Sequence, residues 1–386
     1  MTLKIKNARI VTSGGVIEGG VCICENGRII YVGNEDRASD TVIDAKGSYL
    51  VPGFVDLHCH GGDGIEFMDA DSEGFLSIAD FHLSHGTTTM LATTLAATDE
   101  ETVSALEAFR EYKRDNPDGT LIGVHLEGPW LNPLQCGAQN VEYMRLPEAD
   151  ELRGLKEKYP FILRVSAAPE LCGADEFGRC GRELGVLMSC AHTDADFSEI
   201  CRAYDNGYTL MTHLYSGMKG VTRKNAFRIA GAVEAGLYID GMLVELIADG
   251  RHLPPELLRF VYKIKGADKI CLITDAIRAA GMPDGARTVI GSLERGLDVI
   301  VEDNVAKLPD RQSFAGSTAT ADRLYRTMAD AIGRDMPALS RMASLTPARA
   351  LGLTDRGEIR EGYLAHLLLL DGELNIRKII YGEKIL

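Results

Sequence analysis

VPGFVDLHCHGGDGIEFMDA, residues 51–70, is the stretch on which the fold turns. Its first half is a nearly unbroken apolar run that stops at His58-x-His60, and Gly-Gly-Asp-Gly follows at once. A short apolar run bounded by turn residues reads as a strand of a parallel sheet covered on both faces. Side chains two apart along a strand share a side, so His58 and His60 face one point and Cys59 faces away. Two neutral imidazoles converging at a strand end suit a divalent transition metal.

Working outward, the same pattern recurs. TTTMLATTLA, TLIGVHLEG, FILRVSAAPE, VLMSCAH, YTLMTHL, MLVELIAD and KICLITDA bring the strand candidates to eight. Helical patterns separate most of them, among them ETVSALEAFREYKRD, DFSEICRAYDNG and PPELLRFVYKIKG. After the first strand comes SEGFLSIADFHLSHG, with Gly86 as a plausible C-terminal cap. Eight strand and helix units favour an α/β fold closed as a (β/α)8 TIM-type barrel, which alone takes about 250 residues. Beyond Asp275 a long loop is expected, followed by two helices in TATADRLYRTMADAIG and MPALSRMASLTPARALG.

Both ends of the chain read differently. LKIKNARIVT, VIEGGVCICENGRIIYVG and TVIDAKGSYL alternate apolar and polar positions around Gly-Gly and Asn-Gly turns, and EIREGYLAHLLLLDGELNIRKIIYGEKIL does the same. Chain termini commonly lie close together. The expected organisation is a discontinuous small β-sandwich from 1–50 with 345–386, and a barrel from 51–344.

The downstream ends of barrel strands meet on one face. There the sequence places His58, His60, Glu127, His192, His213 and Asp275. Glu127 ends GVHLEG and has two oxygens, enough to bridge two metals. His192 and His213 each end an otherwise apolar strand. A lone histidine there is more often a satisfied core residue, but two at equivalent positions point to ligation. Asp275 beside a metal can take the proton of a bound water, whose pKa falls from 15.7 toward ~7 on coordination, and return it to a leaving nitrogen. His125 would point inward one layer deeper, as a packing or supporting residue. His82, His85 and His366 read as surface or satisfied core residues.

Composition narrows the function. With 41 basic and 56 acidic residues the net charge is −15, which argues against nucleic acid and anionic membranes as partners. An anionic substrate would need a local positive site. No apolar run reaches the ~18–20 residues of a membrane span, and MTLKIKNARIVTSGG is too polar for a signal peptide. Nine cysteines without a CxxC pair read as free thiols, and the expected location is the cytoplasm.

The chain resembles the amidohydrolase superfamily and, within it, the deacetylases of N-acetylated amino sugar phosphates. The matching stretches are VPGFVDLHCHGGDGIEFMDA, GVHLEGPWLNP, SAAPE, AHTDA, THLYSGM, LIADGRHLPP, KGADKICLITDAIRAAG, FAGS and SLTPARALGL with GEIREGYLAHLLLLD, in the family's order along nearly the whole chain. Most superfamily members use a carbamylated lysine from strand four; FILRVSAAPE has none, and Glu127 would take that place. The resemblance implies Glu127, His192 and His213 around one metal, and His58 and His60 at a second with Asp275 in reach. One or two divalent ions are implied, with Zn, Fe, Mn and Co all open. Asp275 is implied as general base and then acid.

The resemblance also implies a substrate site for a small-molecule amino sugar phosphate. It comprises Ala138 and Gln139 (many members have histidine at the latter), His252, Ser216 and Gly217, an arginine shortly after, and the loop Phe314, Ala315 and Gly316. Arg223 is the better match for that arginine and Arg228 the alternative. It typically reaches over from a neighbouring subunit, which implies a homodimer. Two departures stand out. Ser216-Gly217 replaces Asn-Ala, which leaves the choice of N-acyl hexosamine open, and His366 replaces an aspartate in the C-terminal strand region. A barrel retained only as a non-catalytic scaffold would be expected to have lost ligands; all six are present.

Overall fold

The computed structural model describes residues 1–386. The N-terminal strands are β1 (Thr2–Thr12), β2 (Gly15–Glu25), β3 (Arg28–Gly33), β4 (Thr41–Asp44) and β5 (Tyr49–Pro52). The eight expected barrel strands all form: β6 (Phe54–Cys59), β7 (Thr87–Thr94), β8 (Leu121–Glu127), β9 (Ile162–Ala167), β10 (Leu187–Cys190), β11 (Tyr208–Met211), β12 (Leu243–Leu246) and β13 (Ile270–Leu272). Near the C-terminus come β14 (His366–Leu370), β15 (Ile376–Tyr381) and β16 (Lys384–Ile385).

Strands β6 to β13 form one parallel sheet in chain order, with each strand beside its predecessor. Closure is made at the mouth. Asp275 N–H donates to His58 O at 2.9 Å, and the His60 and Gly61 amides both donate to Ala276 O, at 2.8 and 3.0 Å. Below that seam, the Thr274 hydroxyl donates to Asp56 Oδ2 at 2.5 Å. The seam that closes the cylinder therefore runs through His58, His60 and Asp275.

Helices fill the connections, beginning with α1 (Ser72–Ser84) and α2 (Asp99–Asp115). Asp71 caps α1 by accepting from the Gly74 amide, and Gly86, at φ +89°, follows the C-cap residue His85. That left-handed conformation is why a glycine ends this helix. Thr98 and Glu101 form a reciprocal capping box on α2. No helix is long and apolar enough to cross a membrane.

Both ends of the chain combine in a separate terminal module, built on one sheet where a small sandwich was expected. Its strands make one sheet in the order β16, β15, β14, β5, β1, β2, β3, with β4 also paired to β1. Ile5, Ile10, Cys22, Leu50, Leu367, Leu369 and Ile380 share a buried core there. Strand β5 sits within this sheet and leads directly into β6, so the two modules meet without a linker.

The expected loop after Asp275 contains an antiparallel sheet of Arg287–Ile290, Leu297–Glu302 and Val305–Lys307. Its turn places Asp303 and Asn304 at φ +59° and +57°, the mirror-image turn that suits a tight hairpin. A second hairpin, Thr222–Lys224 with Phe227–Ile229, turns through Asn225 and Ala226 at φ +48° and +71°.

Leu50 lies fully buried on β5 in the terminal core. Leu50→Ala should lower the unfolding free energy by about 2–5 kcal/mol, read from urea denaturation. A change under about 0.5 kcal/mol would mean that this sheet packs more loosely than described.

Candidate active site

The barrel interior holds an apolar and a polar group of side chains. Val55, Leu57, Leu210, Ile247, Cys271 and Ile273 share a buried apolar cluster with Ala348. Alongside them lies a polar level around Arg164 on β9 and Glu245 on β12, both fully buried. All five guanidinium N–H groups of Arg164 are used. Nε donates to Ser189 Oγ (3.3 Å) and Nη1 to Leu57 O (3.0 Å) and Glu245 Oε1; Nη2 donates to Thr212 Oγ1 (3.0 Å) and Glu245 Oε2 (3.0 Å). A buried charge stays charged only when it is paired and hydrogen-bonded in this way. His125 belongs to the same level. Its Nε2 lies 2.7 Å from Ser166 Oγ, and its ring meets the His58 ring edge-on at 4.7 Å.

At the mouth, the strand-end residues converge on Glu127, the last residue of β8. Glu127 Oε2 lies 3.5 Å from His58 Nε2 and 3.4 Å from His60 Nε2. Its other oxygen, Oε1, lies 3.4 Å from His192 Nε2 and 2.9 Å from His213 Nε2. Asp275 Oδ1 faces the first pair, 3.3 Å from His58 Nε2 and 3.1 Å from His60 Nε2, which are themselves 3.1 Å apart. One carboxylate thus stands between two histidine pairs and offers one oxygen to each.

These distances test whether a metal fits. Four ligands at the usual ~2.0–2.1 Å define a tetrahedron whose edges are about 3.3 Å. His58, His60, Glu127 Oε2 and Asp275 Oδ1 supply five such edges, between 3.1 and 3.5 Å. Glu127 Oε1, His192 and His213 make a second, three-ligand group. Three protein ligands beside an open side are the arrangement of a catalytic position. The donor set fits one or two divalent cations.

Backbone strain gathers at the same place. His192, His213 and Asp275 have φ of +44°, +29° and +48°. Left-handed conformations at such residues cost of order 1–3 kcal/mol each and persist only where the surroundings enforce them. His192 Nδ1 is held by Gln135 O at 2.8 Å, and His213 Nδ1 by Ser216 O at 3.1 Å.

A cavity of about 220 Å³ opens over this cluster. Of the remaining residues expected at the site, Ala138, Gln139, Ser216, Gly217, His252, Phe314 and Gly316 line it. Gln139 Oε1 accepts from Ala96 N–H at 2.8 Å, and its Nε2 donates to Glu127 Oε2 at 2.8 Å, which fixes the amide's orientation. Gly217, at φ +56°, passes so close to His192 that an added Cβ would lie 2.8 Å from Nδ1. His252 is fixed by Asp249, whose Oδ2 lies 2.9 Å from Nδ1, and its ring packs against Phe314 at 4.7 Å with the two planes tilted by 51°.

Two expected residues lie elsewhere. Ala315 turns into a buried cluster with Ile277 and Val299. Arg223 stands on the exposed hairpin, as does Arg228, and neither lines this chain's cavity. Cys59 faces away from the site, toward His82 (3.2 Å). His85 pairs with Asp322, and His366 stacks on Tyr381. The sequence reading missed Leu95, Ile290 and Ser313 in the cavity wall, and the Arg164–Glu245 pair beneath it. The pair left a trace, since a lone arginine and a lone glutamate inside apolar strands must find partners.

Burial disfavours charge on His58 and His60, but the facing carboxylates outweigh it. Glu127 and Asp275 raise His58 to about 10, and their hydrogen bonds raise His60 to about 9. Burial likewise works against an ionised Asp275, yet the His58 charge and the His60 hydrogen bond lower it to about 2. Protons and a divalent cation would therefore compete for this cluster.

In protein stripped of cations by a chelator, raised histidines stabilise the fold fully below their unfolded pKa of about 6.5. That contribution disappears as pH rises through about 9 to 10. Asp275 contributes above about 3.9, and its share is lost as pH falls through about 2. Stability of the stripped protein should thus peak between about pH 4 and 6.5, then fall by up to about 1.4 kcal/mol per pH unit for each proton lost. Urea midpoints measured from pH 5 to 10 check this, and a flat profile would contradict the assignment.

Comparison with known proteins agrees with this geometry. The Amidohydrolase family model matches residues 49–384. The chain is 30% identical to N-acetylglucosamine-6-phosphate deacetylase of Lysinibacillus sphaericus, over 100% of this chain and 98% of that one. It is 31% identical to N-acetylgalactosamine-6-phosphate deacetylase of Escherichia coli O157:H7, with 99% of each chain covered. Among solved structures, a mutant N-acetyl-D-glucosamine-6-phosphate deacetylase from Mycobacterium smegmatis in complex with N-acetyl-D-glucosamine-6-phosphate superposes with a TM-score of 0.90. That chain is 30% identical, and the match covers 100% of this chain and 98% of that one. With its closed barrel, its paired ligand groups and a match along most of its length, the chain belongs to the amidohydrolase family and is a hydrolase of amide C–N bonds.

Proposed function

We propose that the chain hydrolyses the acetamide of N-acetylglucosamine 6-phosphate to glucosamine 6-phosphate and acetate. The observation that carries this reading is the position of Asp275 Oδ1, 3.1 Å from His60 Nε2 at the floor of a cavity that also exposes Gln139 and His252. His58, His60, Glu127, His192 and His213 would hold one or two divalent ions, with Zn, Fe, Mn and Co all compatible with imidazole and carboxylate donors. A cation held there supplies Lewis acidity toward the amide carbonyl and lowers the pKa of a water.

The chain's own groups do the rest. The Asp275 carboxylate takes a proton from the attacking water and later delivers it to the amide nitrogen as the C–N bond breaks. Gln139 spends one N–H on Glu127 and keeps its second for the oxyanion that develops on the carbonyl oxygen. His252, oriented by Asp249, and Phe314 flank the sugar. Ser216 and Gly217 border the phosphate.

The phosphate's positive partner is Arg223, with Arg228 as the alternative, supplied across a homodimer contact. The hairpin that carries both also exposes Phe227 (77%), and Val221 just before it is 57% exposed. Apolar side chains set among cations on a surface loop suit a covered contact. The nine free cysteines agree with a cytoplasmic setting. The modular division proposed is 1–50 with 345–386, and 51–344.

A second substrate reading, N-acetylgalactosamine 6-phosphate or another N-acyl amino sugar, is favoured by the short Ser216-Gly217 pair at the phosphate end. The E. coli relative bearing the galactosamine name matches as well as the others do. Measuring kcat/KM for acetate release from both hexosamine 6-phosphates and their unphosphorylated forms decides between them. The leading reading expects the glucosamine derivative to be preferred and the phosphate to raise kcat/KM. Indifference to phosphate would overturn it. Arg223→Ala should lower kcat/KM for the phosphorylated sugar about 10-fold or more, the scale of a lost charge-assisted contact, and leave the unphosphorylated sugar unaffected.

Asp275→Asn should retain metal by elemental analysis while kcat falls by about 10²–10⁴. Near-normal kcat in that variant would remove Asp275 from its role.

A further inference from the structure

The two cation positions differ in what stands behind their histidines. At the Glu127–His192–His213 position both far ring nitrogens are engaged: His192 Nδ1 by Gln135 O at 2.8 Å and His213 Nδ1 by Ser216 O at 3.1 Å. At the His58–His60 position neither is. His58 Nδ1 and His60 Nδ1 are buried and have no hydrogen-bond partner. A ligating histidine normally donates its other N–H to a carboxylate or carbonyl, which fixes the ring and strengthens the ligand. Loss of such a partner typically weakens metal binding 10- to 100-fold.

One group is placed to fill that gap. Glu245 Oε2 stands 3.5 Å from His58 Nδ1, just beyond a hydrogen bond. Glu245 is fully buried and is clamped by two Arg164 nitrogens. Its Oε2 also accepts the His213 amide at 3.2 Å. The carboxylate cannot swing to another partner, so a small shift of the His58 ring on loading closes the contact. His60 Nδ1 has no hydrogen-bond partner, and the buried Glu66 carboxylate acts on His60 only at longer range.

Resting on the metal-dependent reading above, we propose that Glu245 is a positioning residue for His58, and that the His58–His60 position is the weaker of two unequal cation sites. The Glu127–His192–His213 position fills first. The second ion binds only when His58 Nδ1–H closes on Glu245.

The test is a titration of chelator-stripped full-length protein with Zn(II) against a chromophoric competitor. Wild type should show two classes of site whose Kd values differ by about tenfold or more. His60→Asn should remove the weaker class and leave the tighter one. Glu245→Gln, which keeps an oxygen for the His213 amide, should weaken the weaker class about 10- to 100-fold and leave the tighter one within about threefold. If the glutamine variant does not fold, Glu245→Asp keeps the charge on Arg164 but withdraws the oxygen, and it should weaken the same class. Equal affinities in wild type, loss of the tighter class in His60→Asn, or a Glu245 variant that changes neither class or both alike would overturn the proposal. A protein that binds two zinc ions with equal affinity would leave the metal-dependent reading standing, whereas one that binds none would remove both.

Discussion

Everything at the mouth of this barrel depends on one buried carboxylate that faces four imidazoles. Glu127 sits at the end of β8 with one oxygen toward His58 and His60 and the other toward His192 and His213. Removed from water, a carboxylate is costly unless positive charge answers it. Here the answer is distributed over three strands. The arrangement accepts protons or a divalent cation, and its inter-ligand distances match the edges of a metal coordination shell. Catalytic potential and electrostatic balance are thus set by the same atoms.

That balance rests on a second one beneath it. The polar level built by Arg164 and Glu245 replaces the branched apolar side chains that usually fill this depth of a barrel. A guanidinium with five hydrogen bonds anchors a carboxylate, and the carboxylate in turn meets the His58 ring and the His213 backbone. Rigidity passes from this pair to the mouth. This support also bears on the left-handed backbone at His192, His213 and Asp275, which an underpacked barrel would let relax.

The eight strands were legible because parallel strands buried on both faces are written as continuous apolar runs. The ligands were legible because each interrupts or ends such a run, and histidine or carboxylate there has few structural uses. Other features left fainter marks. The sheet between Arg287 and Lys307 was read as a loop, although Asp303-Asn304 between alternating residues was a hairpin signal. Ala315 lay within a three-residue match whose flanking residues line the cavity while its own side chain packs inward, a distinction that backbone direction alone decides. Arg164 and Glu245 lie some eighty positions apart, and nothing local in either strand says that they meet. Gln139 was legible as a cavity residue, but its grip on Glu127 and Ala96 needed three dimensions.

The closing seam has a consequence for how the molecule is made. The first barrel strand supplies His58 and His60, and the last supplies Asp275, whose amide binds the carbonyl of His58 itself. A chain emerging from the ribosome can gather the middle strands early, yet it has no complete centre until residue 276 is free to join residue 59. A product truncated before residue 275 lacks both the closing contacts and the Asp275 carboxylate, so the centre is completed only when the last barrel strand joins the first.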